Sequence, residues 1–174
     1  MHLDVRDRIS LTEIRPTDKQ ALVEHLAARD IYDNTLRIPY PYTADDADEW
    51  LTIVARSTRE HGRPVHWAIR QDEQLIGCCG FDHLAIGRSH RAEIGYWLAK
   101  PYWGCGIMTA VIGKLCEHAF GQWGLSKLSA YVFAHNAASA RVLEKCGFEQ
   151  EGYLRRHFLK DGRLWDARLF GRLA

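Results

Sequence analysis

Apolar residues recur at helical spacing through the middle of the chain, directly after a short loop that contains Gly104 and Gly106. The helical set is Met108, Val111, Ile112, Leu115, Cys116, Ala119, Phe120 and Trp123. Gly124 follows where such a helix would end. The pattern predicts a strand up to Leu98, a glycine loop and a helix that begins at the glycines. The unpaired amides of a helix start, together with the helix dipole, suit a phosphate group.

The part of the chain before this loop is predicted to form strands and two helices. The strands are expected at Ile9–Ile14, Val65–Arg70, Gln74–Phe81 and Arg91–Leu98. The helices are expected from a cap at Thr17-Asp18 to about Ala28, and from Thr43 to Gly62. Between the helices, the segment Tyr32–Tyr42 is rich in proline and tyrosine, which favours a stiff pocket wall over a regular helix.

The part of the chain after the central helix continues with a strand, a helix and a hairpin. The elements are Leu128–Phe133, Asn136–Cys146, Phe148–Leu159 and Arg163–Leu173, with an Asp161-Gly162 turn before the last strand. Strands on both sides of a helical crossover imply one locally parallel pair in an otherwise antiparallel sheet. The predicted class is therefore α+β, or mixed α/β.

Composition narrows the function classes. The chain has 174 residues and a formal net charge of +1, which predicts one domain over residues 1–174 and disfavours nucleic-acid and membrane partners. The N-terminal residues contain no apolar signal segment, so we expect a cytoplasmic protein. Five cysteines without a Cys-x-x-Cys pair, and nine scattered histidines, predict reduced thiols and no metal.

Two motifs point to a family. Tyr102-Trp103-Gly104-Cys105-Gly106-x-x-Thr109 and the run from His135 to Phe148 resemble the Gcn5-related N-acetyltransferase (GNAT) superfamily, and most closely its Rim-type branch. That branch includes enzymes that acetylate the amino terminus of ribosomal proteins. The resemblance implies a sheet of about seven strands, with its parallel pair splayed at the cofactor, and about four helices. Pro101 replaces the usual Gln or Arg of the superfamily, and Leu143 replaces a tyrosine that donates a proton in many relatives.

The resemblance implies acetyl-CoA as acetyl donor and assigns residues to it. The backbone amides of Gly104, Cys105, Gly106, Ile107, Met108 and Thr109 would face its pyrophosphate. The backbone at Trp97 and Leu98 would pair with the pantetheine arm like an added strand, and Asn136 would contact the same arm. Core packing of the Trp97 and Leu98 side chains, and simple helix capping by Asn136, are the structural alternatives.

Acetyl transfer needs a base, because an α-amino group has a pKa of about 8 and a lysine of about 10.4. Glu93 is the candidate, acting directly or through water; the alternative is that Glu93 pairs with Arg91 or Arg70. By resemblance, Ser139 lies near the thioester sulfur and protonates the leaving thiolate. A covalent acetyl intermediate on Cys105 is disfavoured, because no histidine stands beside it in sequence.

The acceptor is predicted to be a primary amine, and the branch resemblance favours a protein amino terminus. Tyr32, Tyr40 and Asp166 are expected to line its pocket, with Asp166 holding an ammonium group; the alternative is core packing of the tyrosines and pairing of Asp166 with Arg168 or a neighbour. A small-molecule amine and a non-catalytic CoA-binding module remain open as other functions. Aromatic residues on the last hairpin also make a homodimer a reasonable expectation.

Overall fold

The computed structural model describes residues 2–84 and 90–174. Its strands are β1 (His2–Arg6), β2 (Ile9–Glu13), β3 (His66–Gln71), β4 (Gln74–Asp82), β5 (Arg91–Leu98), β6 (Lys127–Phe133), β7 (Glu149–Lys160) and β8 (Arg163–Leu173). Its α-helices are α1 (Lys19–Leu26), α2 (Arg29–Asp33), α3 (Ala44–His61), α4 (Ile107–Trp123) and α5 (Ala137–Lys145). Short 3₁₀ turns cover Pro16–Asp18 and Lys100–Tyr102.

The strands hydrogen-bond in the order β1-β2-β3-β4-β5-β6-β8-β7. Strands β5 and β6 are parallel, with Glu93 opposite Ser129, whereas β1–β2, β2–β3, β3–β4, β6–β8 and β7–β8 are antiparallel. The predicted α+β class with one parallel pair is confirmed. The described residues contain eight strands and five helices; β1 and the short α2 are the additions to the sequence prediction. No helix among them is long and apolar enough to cross a membrane.

Contacts divide the chain into two compact units, and the first contains Met1–Phe81 and Gly95–Ile107. Its core gathers residues from α1, α2, α3, β3 and β4, including Leu22, Ile31, Ala47 and Leu75. Strand β4 approaches β5 closely, since a Cβ built on Gly77 would lie 2.5 Å from the backbone oxygen of Trp97. A side chain at position 77 would therefore force the two strands apart.

An ion pair lies inside this first unit. Arg70 is 2% exposed and Asp18 is 6% exposed, and the guanidinium donates to both carboxylate oxygens of Asp18 at 2.9 Å. The sequence predicted a helix cap at Thr17-Asp18, and Asp18 is the N-cap residue of α1, although its side chain makes no capping bond to that helix. The Asp18 carboxylate accepts the backbone amide of Arg15 at 2.7 Å, which closes a capping box on the preceding 3₁₀ turn, and it also compensates the buried charge of Arg70.

The second unit contains Asp82–Ile94 and Met108–Ala174. Helix α4 supplies its core with one apolar stripe, in which Val111, Ile112, Leu115 and Cys116 have no exposed surface. The β7–β8 hairpin carries a bulge, because the register shifts between Leu154 and Phe158. This bulge changes which β7 side chains face β8.

Candidate active site

The predicted anion site has the expected backbone geometry. Gly104 and Gly106 both have positive φ, of 76° and 70°, a conformation that costs little only for glycine. Helix α4 begins at Ile107, directly after the second glycine. Because the first four amides of a helix have no intrahelical partner, the start of α4 can receive an anion. The side chains of Ile107 and Met108 are buried, so only their backbone is available to a ligand.

Trp97 and Leu98 have buried or half-buried side chains. Trp97 packs against the core cluster of the first unit, and Leu98 is 7% exposed. The oxygen of Leu98 accepts a hydrogen bond from Trp103 Nε1 at 2.6 Å. A carbonyl oxygen has two lone pairs, so this bond leaves a second acceptor position. The side chains thus contribute packing, and backbone pairing with pantetheine stays a prediction.

Glu93 lies on β5 in the second unit, and its side chain is 26% exposed. Nε2 of His83 is 4.0 Å from its carboxylate. Of the two arginines that were considered as partners of Glu93, Arg70 forms an ion pair with Asp18 in the first unit. The sequence did not single out His83, because its proximity depends on the approach of two chain segments and leaves no local pattern. Partial exposure beside an imidazole suits a carboxylate that exchanges protons.

Asn136 and Ser139 begin α5. Oδ1 of Asn136 accepts the backbone amide of Ser139 at 3.0 Å, so Asn136 is the N-cap of this helix. This bond occupies one of the two acceptor positions of the amide oxygen, so the second position and the Nδ2 group are the atoms that the predicted contact with pantetheine would use. Leu143, which replaces the tyrosine of many relatives, has no exposed surface and packs in the core. Ser139 is partly buried, and its predicted role remains to be tested.

The two tyrosines of the predicted acceptor wall meet in the first unit. The ring centroids of Tyr32 and Tyr40 are 5.4 Å apart, and the guanidinium of Arg29 lies 5.0 Å from each ring centroid. Tyr32 is 9% exposed and Tyr40 is 44% exposed, so Tyr40 presents more surface to a ligand. The sequence prediction missed Arg29, although its spacing to Tyr32 within one helical turn was a usable signal.

Asp166 organises the bulge of the last hairpin in the second unit. Its carboxylate accepts the backbone amide of Arg156 at 2.7 Å and the hydroxyl of Tyr153 at 2.8 Å. These two bonds, the amide first, hold the pKa of Asp166 below its usual value. A cleft of about 260 Å³ lies beside it, lined by Ala134, His135, Tyr153, Arg163, Leu164, Trp165 and Asp166. Asp166 therefore has a structural role in the hairpin through these two hydrogen bonds, and its binding of an ammonium group stays a prediction.

The cysteines differ in exposure. Cys105 is exposed in the glycine loop, while the other four are buried. Burial raises the pKa of the Cys116 thiol to about 11 and those of Cys78 and Cys79 well above the usual range. Those buried thiols are poor nucleophiles at neutral pH. In the described parts of the chain, no group of three or more His, Cys, Asp or Glu side chains is arranged to hold a metal ion.

Comparison with known proteins decides the family. Residues 8–149 match the family model described as an acetyltransferase (GNAT) domain. The chain belongs to the GNAT acetyltransferase family. As a GNAT protein it is an acetyl-CoA-dependent acyltransferase, and the resemblance inferred from its glycine loop and late helix is confirmed.

The predicted site residues are divided between the two units. The first unit contains Trp97, Leu98, Gly104–Ile107, Tyr32 and Tyr40, and the second contains Glu93, Met108, Thr109, Asn136, Ser139 and Asp166.

The relatives of this GNAT protein include enzymes that are named after different acceptors. It is 39% identical over 110 residues to the uncharacterized N-acetyltransferase YoaA of Bacillus subtilis, and this match covers 62% of each chain. It is 30% identical over 161 residues to the putative ribosomal N-acetyltransferase YdaF of the same organism, covering 87% of this chain and 83% of YdaF. It is 27% identical over 165 residues to the L-amino acid N-acetyltransferase AaaT of Escherichia coli, covering 90% and 92%.

A solved relative supports the fold. The structure of Mycobacterium smegmatis RimJ in complex with CoA-disulfide superimposes with a TM-score of 0.84 and 27% identity, covering 95% of this chain and 82% of RimJ. RimJ is a Rim-type protein by name, and the motifs had indicated the Rim-type branch for this chain. The GNAT fold and the Rim-type resemblance therefore agree.

Proposed function

We propose that this GNAT protein transfers the acetyl group of acetyl-CoA directly to a primary amine, and that the amine is the amino terminus of a protein. One observation carries the proposal: a partly exposed carboxylate, Glu93, lies on the strand that leads into the glycine loop and the start of α4. The candidate base and the candidate anion site therefore follow one another along the chain, on β5 and at the start of α4. The similarity to YdaF and RimJ supports the protein acceptor.

The glycine loop would hold the donor. The amides of Gly104–Thr109 lie at a helix start, where they can donate hydrogen bonds to the pyrophosphate. The two positive-φ glycines keep this loop free of side chains on either side of Cys105. Neutralisation comes from backbone dipoles, so phosphate binding needs no bound metal ion.

Glu93 would take the proton of the acceptor. A protonated amine has no lone pair to attack with, and its nitrogen must lose a proton as the new C–N bond forms. Glu93 accepts that proton, directly or through one water, while the acetyl carbonyl carbon is attacked. The Nε2 atom of His83 lies 4.0 Å from this carboxylate, so a positive charge on the imidazole would stabilise the ionised form of Glu93.

Ser139 would serve the leaving group. When the C–S bond breaks, the sulfur leaves as a thiolate, and the hydroxyl of Ser139 supplies a proton that solvent then replaces. A thiol with a pKa of about 8.5 is a tolerable leaving group unaided, so loss of Ser139 should cost less than loss of Glu93. Leu143 offers no alternative donor, since its side chain is hydrocarbon and fully buried.

A small-molecule amine is the second candidate acceptor. The specific observation in its favour is the similarity to AaaT across most of both chains. The guanidinium of Arg29 lies over the rings of Tyr32 and Tyr40 and pairs with Asp33 through Nε at 3.0 Å. Its Nη groups would bind the carboxylate of an amino acid in this second function. The two acceptor classes differ in whether that carboxylate is free or part of a peptide bond.

The test is acetylation of a matched panel of acceptors. The rate is measured as the release of the CoA thiol from acetyl-CoA. The panel pairs ribosomal-protein amino-terminal peptides with the free amino acids of the same first residues and with polyamines. A peptide kcat/KM well above that of the free amino acid supports the proposal, while the reverse order assigns the amino-acid function. CoA binding without acetylation of any amine would identify a non-catalytic module.

The base is tested with Glu93→Gln against Glu49→Gln, which changes an exposed glutamate on α3. Glu93→Gln should lower kcat by about two to four orders of magnitude and leave the Kd for acetyl-CoA unchanged. Glu49→Gln should match the wild type in both quantities. An unaltered pH–rate profile in Glu93→Gln would place the base elsewhere.

A further inference from the structure

The unpredicted first strand reaches the glycine loop. Arg6, the last residue of β1, donates from Nη2 to the backbone oxygen of Cys105 at 2.7 Å. Its Nη1 lies 3.7 Å from the position that a Cβ on Gly106 would occupy. Both groups belong to the first unit. A guanidinium therefore lies beside the residue that immediately precedes α4.

A second arginine fixes the hairpin that carries Arg6. Arg8 bonds Asp72 through Nε at 2.8 Å and through a second, shorter contact from Nη2, and the amide of Asp72 donates to the oxygen of Arg8 at 2.8 Å. The Arg8 guanidinium holds the pKa of Asp72 below its usual value. These bonds join the β1–β2 turn to the β3–β4 turn. The hairpin end is thus held from a neighbouring turn, and Arg6 is free to serve the loop.

Arg6 has donors beyond the one that it gives to Cys105. A guanidinium carries five N–H groups in a planar fork, and this fork matches the oxygens of a phosphate. The bond to the Cys105 oxygen orients that fork next to the loop amides, and it also opposes rotation of the Cys105 peptide group. Positive charge and loop rigidity therefore come from one side chain.

We propose that Arg6 belongs to the donor site: its guanidinium fixes the glycine loop through Cys105 and binds a phosphate group of acetyl-CoA. This inference rests on the proposed function, because it needs acetyl-CoA in the loop. It adds to the backbone amides a side chain separated from Cys105 by 99 positions in sequence. The phosphate is either the pyrophosphate or the 3′-phosphate, and the choice of probes distinguishes them.

The first experiment measures CoA binding by calorimetry for wild type, Arg6→Ala, Arg6→Lys and Arg56→Ala. Arg56 is an exposed arginine of α3, so its loss changes the net charge equally without touching the loop. Loss of a charge-assisted hydrogen bond predicts that Arg6→Ala raises the Kd for CoA about tenfold. Arg6→Lys should recover part of this loss, since it keeps the charge without the fork. Arg56→Ala should bind as the wild type does.

The second experiment separates phosphate binding from a merely structural role. S-acetylpantetheine carries the thioester without any phosphate, so Arg6→Ala should lower kcat/KM for acetyl-CoA and leave that for S-acetylpantetheine unchanged. 3′-Dephospho-CoA then locates the contact: a Kd that no longer responds to Arg6→Ala assigns the 3′-phosphate, and a full response assigns the pyrophosphate. An equal loss with both donors, or an unchanged Kd for CoA in Arg6→Ala, overturns the proposal. A wild type that binds CoA but acetylates no amine contradicts the proposed function and still leaves the binding test of Arg6 intact.

Discussion

The buried ion pair of the first unit gives a stability prediction whose size follows from its contacts. Asp18→Asn removes the charge that faces Arg70, whose side chain is 3% exposed. Arg70 keeps its bond to Thr12 Oγ1 at 2.6 Å and two backbone carbonyls at 3.2 Å. These acceptors are neutral, so they solvate the cation without cancelling its charge.

Breaking a buried pair from one side costs about 3–5 kcal/mol, because an uncompensated charge stays inside the protein. The remaining acceptors offset part of this cost, and we expect about 3 kcal/mol for Asp18→Asn. Against a total stability of about 5–15 kcal/mol this is a large loss. With a urea m-value of about 2 kcal/mol/M, the unfolding midpoint should fall by about 1.5 M.

The assay is urea unfolding followed by circular dichroism, with Asp48→Asn as the matched control. Asp48 pairs with Lys19 at 2.6 Å on the surface, where its side chain is 58% exposed. Surface pairs contribute about 0–1 kcal/mol, so this control should barely move the midpoint. Replacing both buried partners, as in Asp18→Leu with Arg70→Met, should cost much less than the sum of the single changes. Equal midpoints for Asp18→Asn and Asp48→Asn, or strictly additive losses, would refute the reasoning.

Three further predictions concern the site. Gly106→Ala should raise the KM for acetyl-CoA without changing the circular-dichroism spectrum, because the φ of 70° at this position strains any residue with a side chain. The control is Gly121→Ala, at a position of α4 where a Cβ meets no neighbouring atom. Equal KM values for the two variants would contradict the assignment of the loop to acetyl-CoA. Cys105, as the exposed thiol, should be alkylated first in peptide mapping, and CoA should slow this reaction; first labelling of a buried thiol, or no protection by CoA, would count against the loop site. Tyr40→Ala and Asp166→Asn should change the acceptor KM and selectivity at constant acetyl-CoA binding, whereas parallel losses for every acceptor would argue for a purely structural role.

The order of elements was predictable because each depends on local patterns. The apolar stripe of α4, the cap at Thr43 and the Asp161-Gly162 turn are each encoded within a few neighbouring residues. Strand β1 was missed because it is short and exposed on alternate positions, so its residues resemble a solvated terminus. Its identity as a strand depends on pairing with β2, which a local pattern does not report.

The candidate site was predictable in position and less so in detail. Motif order located Glu93 and the glycine loop, but Arg6, Arg29 and His83 were missed. Arg6 reaches a residue 99 positions away, and His83 approaches Glu93 from the end of the preceding strand, and neither contact leaves a periodic signal in the sequence. Asp18 shows the same limit: its place at a helix start was predictable from local sequence, but its ion pair with Arg70, 52 positions away, was not.

Gly77 has a consequence for how mutational surveys of this protein should be interpreted. A Cβ there would lie 2.5 Å from Trp97 oxygen and 3.1 Å from Leu98 Cα, so nearly every substitution would displace the strand that leads into the donor loop. A randomised library selected for acetylation would return glycine at this position about as strictly as at Gly106. Position 77 would then score as an active-site residue, although its requirement for glycine comes from the spacing of β4 and β5. Sensitivity to substitution on these strands therefore measures backbone spacing as well as chemistry, and only ligand-binding measurements on folded variants separate the two.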